Sequence, residues 1–169
     1  MIVKDAMVLI HLAKLTLLAK SCEYFKPSII PKMVYYEILA GKERGYSDAE
    51  VVLELIKKEK IIVKDVRNKK FVRRAEEFNI QRGEAEALAM FWQEKADYLA
   101  TDDDNVRKKS ALLELRIIGT PAIVLKLYKE KMIEKKKFIN SLFELRKIGW
   151  YSNALIDKIV MEGLKWENR

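Results

Sequence analysis

The chain begins with Ile2-Val3-Lys4-Asp5, a short run with strand character that ends at a carboxylate. The second half of the chain repeats this pattern in Tyr98-Leu99-Ala100-Thr101-Asp102-Asp103. In an open parallel sheet, ligands bind beyond the carboxyl ends of the strands, where the order of the strands reverses. If these two strands are neighbours at that point, Asp5 and Asp102 face one cleft.

The segments around these two strands predict an α/β protein with a parallel sheet. Further short apolar strands are expected at Ser28–Ile30, Ile61–Val63 and Ile117–Ile118, with helical patterns between them. Strands that alternate with helices imply right-handed crossovers and parallel pairing. The first helix is expected to carry Val8, Leu12, Leu15 and Ala19 on one stripe, and another is expected from Val106 to Leu115.

The C-terminal part of the chain predicts two more helices, Phe138–Ile148 and Ser152–Met161, separated at Gly149 and with Gly163 ending the second. We therefore expect one domain over residues 1–169, with a core at 1–133 and a helical extension at 134–169. The apolar residues of the extension either all pack on the helices that flank the sheet or remain partly exposed and support a twofold homodimer. They are Leu142, Leu145, Ile148, Ile156, Ile159 and Val160.

Two glutamates join the two aspartates as candidate site residues. Glu37 lies beside the apolar stripe of a helix that follows Pro31, so it can point toward the edge of the sheet. Glu84 lies in the first turn of a helix that opens after Gly83, which could present it at the same mouth.

Each of these acidic residues also has an ordinary structural interpretation as a helix cap, a partner of a helix N-terminus, a turn residue or a solvated charge. Together, however, four carboxylates at strand ends and helix margins favour a cation site. Oxygen ligands select hard cations, here Mg²⁺ or Mn²⁺. The chemistry that such a site supports is hydrolysis of a phosphodiester.

The composition favours a polyanionic partner. The 169 residues include 33 Lys and Arg against 25 Asp and Glu, a net charge of +8. This balance favours nucleic acid ahead of an anionic membrane, although a Lys- and Glu-rich surface from a heat-adapted organism would give the same numbers. The single Cys22 and the absence of a long apolar stretch lead us to expect a soluble, cytoplasmic protein.

Other chemistry-bearing residues give weaker signals. No phosphate-binding glycine loop, dinucleotide fingerprint or Cys/His zinc spacing is present. His11 lies within an apolar helix, where packing is favoured over catalysis because nothing nearby in the sequence would orient it. Thr101 and Thr120 each follow a strand, where a turn role is favoured over orienting a water molecule. The basic stretch at residues 129–137 is typical of a solvated face.

Taken in order, these motifs resemble the PIN domain family. The first half of the resemblance lies in Ile2–Asp5, Leu9–Lys14 and Ile30–Glu37, and the second half in Gly83–Leu88, Thr101–Arg107 and Ile118–Thr120. The segment Ile148-Gly149-Trp150-Tyr151-Ser152 resembles the two-helix tail of a prokaryotic, VapC-type toxin-like branch. The resemblance covers nearly the whole chain.

This resemblance implies a three-layer α/β fold, with a five-stranded parallel sheet flanked by helices. It also implies a Mg²⁺- or Mn²⁺-dependent ribonuclease that leaves a 5′-phosphate. The catalytic and metal-binding carboxylates would be Asp5, Glu37, Glu84 and Asp102, with Asp103 as an auxiliary metal ligand. Many relatives are toxins that a small antitoxin protein silences, and many form homodimers.

The chain departs from the family pattern at two places. Ala6 and Met7 stand where the family usually carries a small polar residue, and Glu84 stands where Asp is frequent, so Glu86 is an alternative ligand. One rival interpretation is a catalytically weak module that binds nucleic acid or protein. Another is a structure-specific DNA nuclease.

Overall fold

The computed structural model describes residues 1–149 and 151–167, and in this part of the chain a five-stranded parallel sheet is flanked by helices. The strands are β1 (Ile2–Lys4), β2 (Ser28–Pro31), β3 (Ile61–Lys64), β4 (Tyr98–Ala100) and β5 (Ile117–Ile118). The helices are α1 (Ala6–Lys14), α2 (Leu18–Tyr24), α3 (Lys32–Glu43), α4 (Ser47–Lys57), α5 (Lys69–Glu77), α6 (Arg82–Glu94), α7 (Asp104–Lys109), α8 (Thr120–Lys129), α9 (Lys135–Ile148) and α10 (Asn153–Glu167). The α/β class and the five parallel strands are confirmed.

The strand order β3-β2-β1-β4-β5 places β1 and β4 side by side, at the point where the order reverses. Val3 pairs with Leu99 and Lys4 with Ala100. The backbone N–H of Asp5 donates to the carbonyl of Ala100 over 3.0 Å. Because this register is fixed, Asp5 and the residues that follow Ala100 leave the sheet together.

Apolar side chains cover both faces of the central strands, as a parallel sheet requires. On one face Ile2 packs in a cluster with residues of α1, α8, α9 and α10. On the other face Val3 packs with Leu88 and other residues of α6. Ile2, Val3 and Leu88 are all fully buried, so the strand that carries Asp5 is held rigidly from both sides.

The two C-terminal helices pack within the chain. The ring of Phe138 in α9 stacks on Tyr128 of α8, with the ring centroids 4.5 Å apart. A side chain at Gly163 would lie 2.5 Å from the Phe138 ring, so α10 depends on this glycine for its close approach. Of the six apolar residues predicted for this extension, four are buried and Ile148 is 37% exposed. The homodimer and the division of the chain at residue 133 stay predictions.

Three expectations about helix boundaries were wrong. The first helix ends at Lys14 and a second begins at Leu18, because Thr16 adopts a left-handed conformation (φ +57°) that turns Leu17 and Leu18 into the core. The helix expected from residue 106 to 115 is α7, which ends at Lys109. Gly163 does not end α10, which continues to Glu167.

Trp150, at the centre of the quoted tail segment, lies outside the described residues, as do Asn168 and Arg169. No helix in the described ranges combines the length and the apolar character needed to cross a membrane.

Candidate active site

Asp5 lies at the carboxyl end of β1 and caps α1, since its Oδ1 accepts a hydrogen bond from the backbone N–H of Val8 over 2.8 Å. The residue is only 4% exposed. Burial is the main reason that the pKa of this carboxyl is raised to about 7, and the charges of Asp102 and Glu84 raise it further. Hydrogen bonds from Thr101 and Val8 act in the opposite direction. The expected capping role is therefore real, but it does not compensate for the burial of the charge.

Asp102 follows β4 and is held by four hydrogen-bond contacts. The Thr120 N–H donates to Oδ1 over 2.7 Å, and the Thr120 hydroxyl donates to Oδ2 over 2.5 Å. The Tyr151 hydroxyl also donates to Oδ2, over 2.6 Å, and Nδ1 of His11 lies 3.0 Å from the same oxygen. Burial alone would raise the pKa of Asp102, but these contacts outweigh it and the pKa is lowered. Asp102 is thus a fixed, ionised carboxylate.

Glu37 on α3 and Glu84 on α6 meet where the two helices approach each other. A Cβ atom added to Gly83 would lie 2.6 and 2.7 Å from the two carboxylate oxygens of Glu37. Although Glu37 as a residue is exposed, loss of hydration at its carboxyl group is the main reason that its pKa is raised. The charge of Glu84 is the next cause, and the Gly83 N–H and Arg82 oppose it.

The four carboxylates therefore form a row. The charges of Asp102 and Glu84 act on Asp5, and the charge of Glu84 also acts on Glu37, so each carboxylate is close enough to at least one other to interact with it electrostatically. Within residues 1–149 and 151–167, neither Asp5, Glu37 nor Glu84 forms a salt bridge with a basic side chain. In a chain of net charge +8, a row of uncompensated carboxylates is a site that a cation would stabilise.

The remaining acidic candidates have structural roles. Asp103 caps α7, with Oδ1 accepting from the Val106 N–H over 2.7 Å, and its part as an auxiliary ligand stays a prediction. Glu86, the alternative to Glu84, accepts a hydrogen bond from the backbone N–H of Met33 at the start of α3 over 3.2 Å.

The donor atoms suit a hard cation, although the four carboxylates do not converge on a single point. No group of three or more His, Cys, Asp or Glu side chains in the described part of the chain is arranged to hold a metal ion. The oxygen donors and their uncompensated charge nevertheless suit Mg²⁺ or Mn²⁺, and Mg²⁺ keeps several waters while taking one or two carboxylates directly. The side chains that would hold such an ion are Asp5, Glu37, Glu84 and Asp102, some of them through water.

Pockets open at both ends of the row. A pocket of about 470 Å³ reaches Glu37 and Glu84 from between α1, α3 and α4. A smaller pocket of about 200 Å³ reaches Asp102 from the side of Tyr151 and Arg107. A chain-like substrate lying across the carboxylates would have room on each side.

Sequence reasoning missed the residues that hold Asp102. His11 is buried, as expected, but residues distant in the sequence orient it, since Nδ1 lies close to Asp102 and 2.8 Å from the Tyr151 hydroxyl. Thr120 contacts the carboxylate itself through both its backbone and its side chain. No local pattern in the sequence indicates the Tyr151 contact, because it comes from the connection between α9 and α10.

Gly83 gives the first testable prediction. In Gly83→Ala the new methyl group would collide with the Glu37 carboxylate and displace it from the row. The fold should tolerate the change, since the obstacle is the end of a flexible side chain and alanine is favoured over glycine in a helix by about 1 kcal/mol. We expect an unchanged or higher melting temperature together with weaker Mn²⁺ binding, measured by thermal melts and calorimetric titration.

Gly41→Ala is the matched control. Gly41 is also helical, but its added Cβ would meet only Ala49 and Tyr46 at ordinary distances of 3.5 and 3.6 Å. Equal Mn²⁺ affinities for the two variants would remove Glu37 from the site.

Comparison with known proteins places the chain in one family. A family model described as DUF3368: PIN domain matches residues 1–163. No curated protein and no solved structure gives a significant match.

Proposed function

Because this chain belongs to the PIN domain family, whose members are generally nucleases, we propose that it is a metal-dependent endoribonuclease. The observation that carries the proposal is the row of four carboxylates at the switch point of the sheet, three of which have no basic partner in the described residues. RNA as the substrate, Mg²⁺ or Mn²⁺ as the cofactor and the individual site residues are parts of the proposal.

In the proposed reaction the protein positions carboxylates that are fixed before substrate binds. Thr120, Tyr151 and His11 hold Asp102, and β1 and α1 hold Asp5, so neither carboxylate needs to reorganise. A bound Mg²⁺ or Mn²⁺ would supply an activated water and stabilise charge on the phosphate. Glu37 and Glu84 complete the negative side of the site and face the larger pocket.

A basic surface formed by residues 67–82, which ends at Arg82 near Glu37, supports a nucleic-acid substrate. Six exposed cations lie between residues 67 and 82, with only two acidic residues, Glu76 and Glu77, among them. The six cations are Arg67, Lys69, Lys70, Arg73, Arg74 and Arg82. None of them forms a salt bridge within residues 1–149 and 151–167. Unpaired cations hold phosphates and release counterions on binding.

The stretch at residues 129–137 differs from this surface. Lys129 pairs with Glu162 and Lys135 pairs with Glu167, so part of its charge is used within the chain. We therefore propose that the RNA strand approaches the carboxylates from the side of residues 67–82, because Arg82, the first residue of α6, lies close enough to lower the pKa of Glu37.

The more specific roles rest on the family resemblance and on the composition and apolar pattern of the sequence. They are a toxin of the VapC-type branch, a small antitoxin protein as partner, a homodimer and a cytoplasmic location. An antitoxin-like reading frame beside the gene, and light scattering of the purified chain at several concentrations, would test the first three.

The proposed activity predicts that single-stranded or structured RNA is cleaved in millimolar Mn²⁺ to products with 5′-phosphate ends. No cleavage is expected in EDTA. The same sequence as DNA serves as the parallel substrate. Mn²⁺ should also raise the melting temperature, since a ligand at a hundred times its Kd stabilises the native state by about 2.7 kcal/mol. If only the DNA is cleaved, DNA replaces RNA as the proposed substrate. If neither RNA nor DNA is cleaved and the melting temperatures with and without Mn²⁺ are identical, the catalytically weak binding module becomes the favoured interpretation.

A further inference from the structure

The larger pocket beside the carboxylates has a wall that the proposed chemistry does not use. Met7 and Ile10 of α1 form one side of it, and Tyr46, in the connection between α3 and α4, forms another. Tyr46 is 58% exposed and Met7 is 42% exposed, although both are large apolar side chains. Apolar and aromatic side chains that line a concave pocket together with a few polar groups are typical of a ligand site.

Two cations lie among these apolar residues. Nζ of Lys14 is 2.9 Å from Asp48, so its charge is compensated. Arg44 is exposed and forms no salt bridge to any side chain in the ranges 1–149 and 151–167. Glu37 and Glu84 also line the pocket. A ligand that fits must therefore combine an apolar, flat part with a negatively charged part.

We propose that this pocket binds the base of a nucleotide next to the phosphate held at the carboxylates, with the ring of Tyr46 stacking on the base and Arg44 contacting its phosphate. This inference rests on the proposed function, because a strand crossing Glu37 and Glu84 must place its next nucleotide here. A volume of about 470 Å³ accommodates a single base with its sugar.

Charge complementarity decides which part of the nucleotide enters deepest. Among the charged residues that line the pocket, Glu37, Glu84 and Asp48 outnumber Lys14 and Arg44, so a phosphate close to the two glutamates is repelled. The uncharged base avoids this repulsion, while the phosphate can remain near Arg44. Every base can stack on an aromatic ring, so we expect the pocket to require a base but to show little preference among the four.

The test is an abasic scan. A set of short single-stranded RNAs, each with one base removed at a different position, is bound to the protein in Ca²⁺, a cation that takes oxygen ligands. Binding is followed by fluorescence anisotropy, and gels confirm that the RNA stays intact. In the wild-type chain, removal of one particular base should weaken binding about fivefold to 160-fold, which corresponds to the loss of one base–aromatic stack. In Tyr46→Ala that position should no longer differ from the others, and Tyr46→Phe should restore the difference.

Tyr36→Ala is the matched control, because Tyr36 is 55% exposed on α3 but does not line the pocket. Its scan should match that of the wild-type chain. Equal binding of all the abasic RNAs to the wild-type chain, or equal effects of the Tyr36 and Tyr46 variants, would overturn the proposal that the pocket binds a base. An apolar side chain of a partner protein would then be the candidate occupant. If the scan is flat while RNA is still cleaved, the pocket fails and the proposed function stands. If binding depends on one base but no RNA is cleaved, the base pocket stands and the proposed nuclease activity fails.

Discussion

Replacing Asp5 by Asn is expected to abolish phosphodiester cleavage and to raise the free energy of unfolding of the metal-free protein by about 3 to 4 kcal/mol near pH 8. Asp5 is 4% exposed and its pKa is raised to about 7, mainly by burial. The uncharged amide removes this cost and still offers an oxygen to the Val8 N–H. It cannot supply the negative charge that a bound cation needs.

The pH dependence fixes the sign of this prediction. Because the pKa of Asp5 is higher in the folded chain than in the unfolded chain, its neutral form stabilises the fold at low pH. This contribution is lost as pH rises from about 4 to about 7. Chemical denaturation in EDTA across this range should show the variant gaining stability over the wild-type chain as pH increases.

Asp104→Asn is the control for the Asp5 variant. Asp104 is an exposed carboxylate that pairs with Arg107 on α7, so its loss should change neither cleavage nor stability appreciably. Wild-type cleavage by Asp5→Asn would exclude Asp5 from the site. Equal stability of the Asp5 variant and the wild-type chain from pH 4 to pH 8 would contradict the burial of its charge.

Lys4→Met should stabilise the protein by about 3 kcal/mol near neutral pH, independently of metal. Lys4 is fully buried in the central strand, where Nζ donates to the Ser28 hydroxyl over 2.6 Å and to Sγ of Cys22 over 3.8 Å. Burial lowers the pKa of its ammonium group to about 8, although Cys22 opposes the shift. Methionine has a similar length and carries no charge.

The same pKa shift gives a distinctive pH profile. The unfolded chain binds more protons than the folded chain between about pH 8 and 10.5, so the stability of the wild-type protein should rise with pH there. The methionine variant should lack this rise and should be more stable than the wild type below it. Lys60→Met, at an exposed position, should follow the wild-type profile. A lower stability of Lys4→Met at every pH would mean that the contacts with Ser28 and Cys22 outweigh the cost of burial.

The sheet was predictable because each of its strands is a short apolar run with a local boundary. Asp5 follows such a run directly and Asp102 follows one after Thr101, so placing the strands also placed the two carboxylates. Glu84 was predictable from its position in the first turn of a helix. The break between α1 and α2 was not, because the apolar stripe continues past the left-handed Thr16.

The sequence by itself therefore determined the family, the parallel sheet and the end of the sheet at which the acidic residues gather. These features depend on periodicity and on residues adjacent to one another in the chain. Only the tertiary structure decided that His11 and Tyr151, 91 and 49 residues away from Asp102, contact its carboxylate. It also decided that Glu37 covers Gly83 and that Tyr46 faces the pocket. The physical reason is that such contacts depend on how α1, α3, α6 and the C-terminal helices pack on the sheet, which no local pattern encodes.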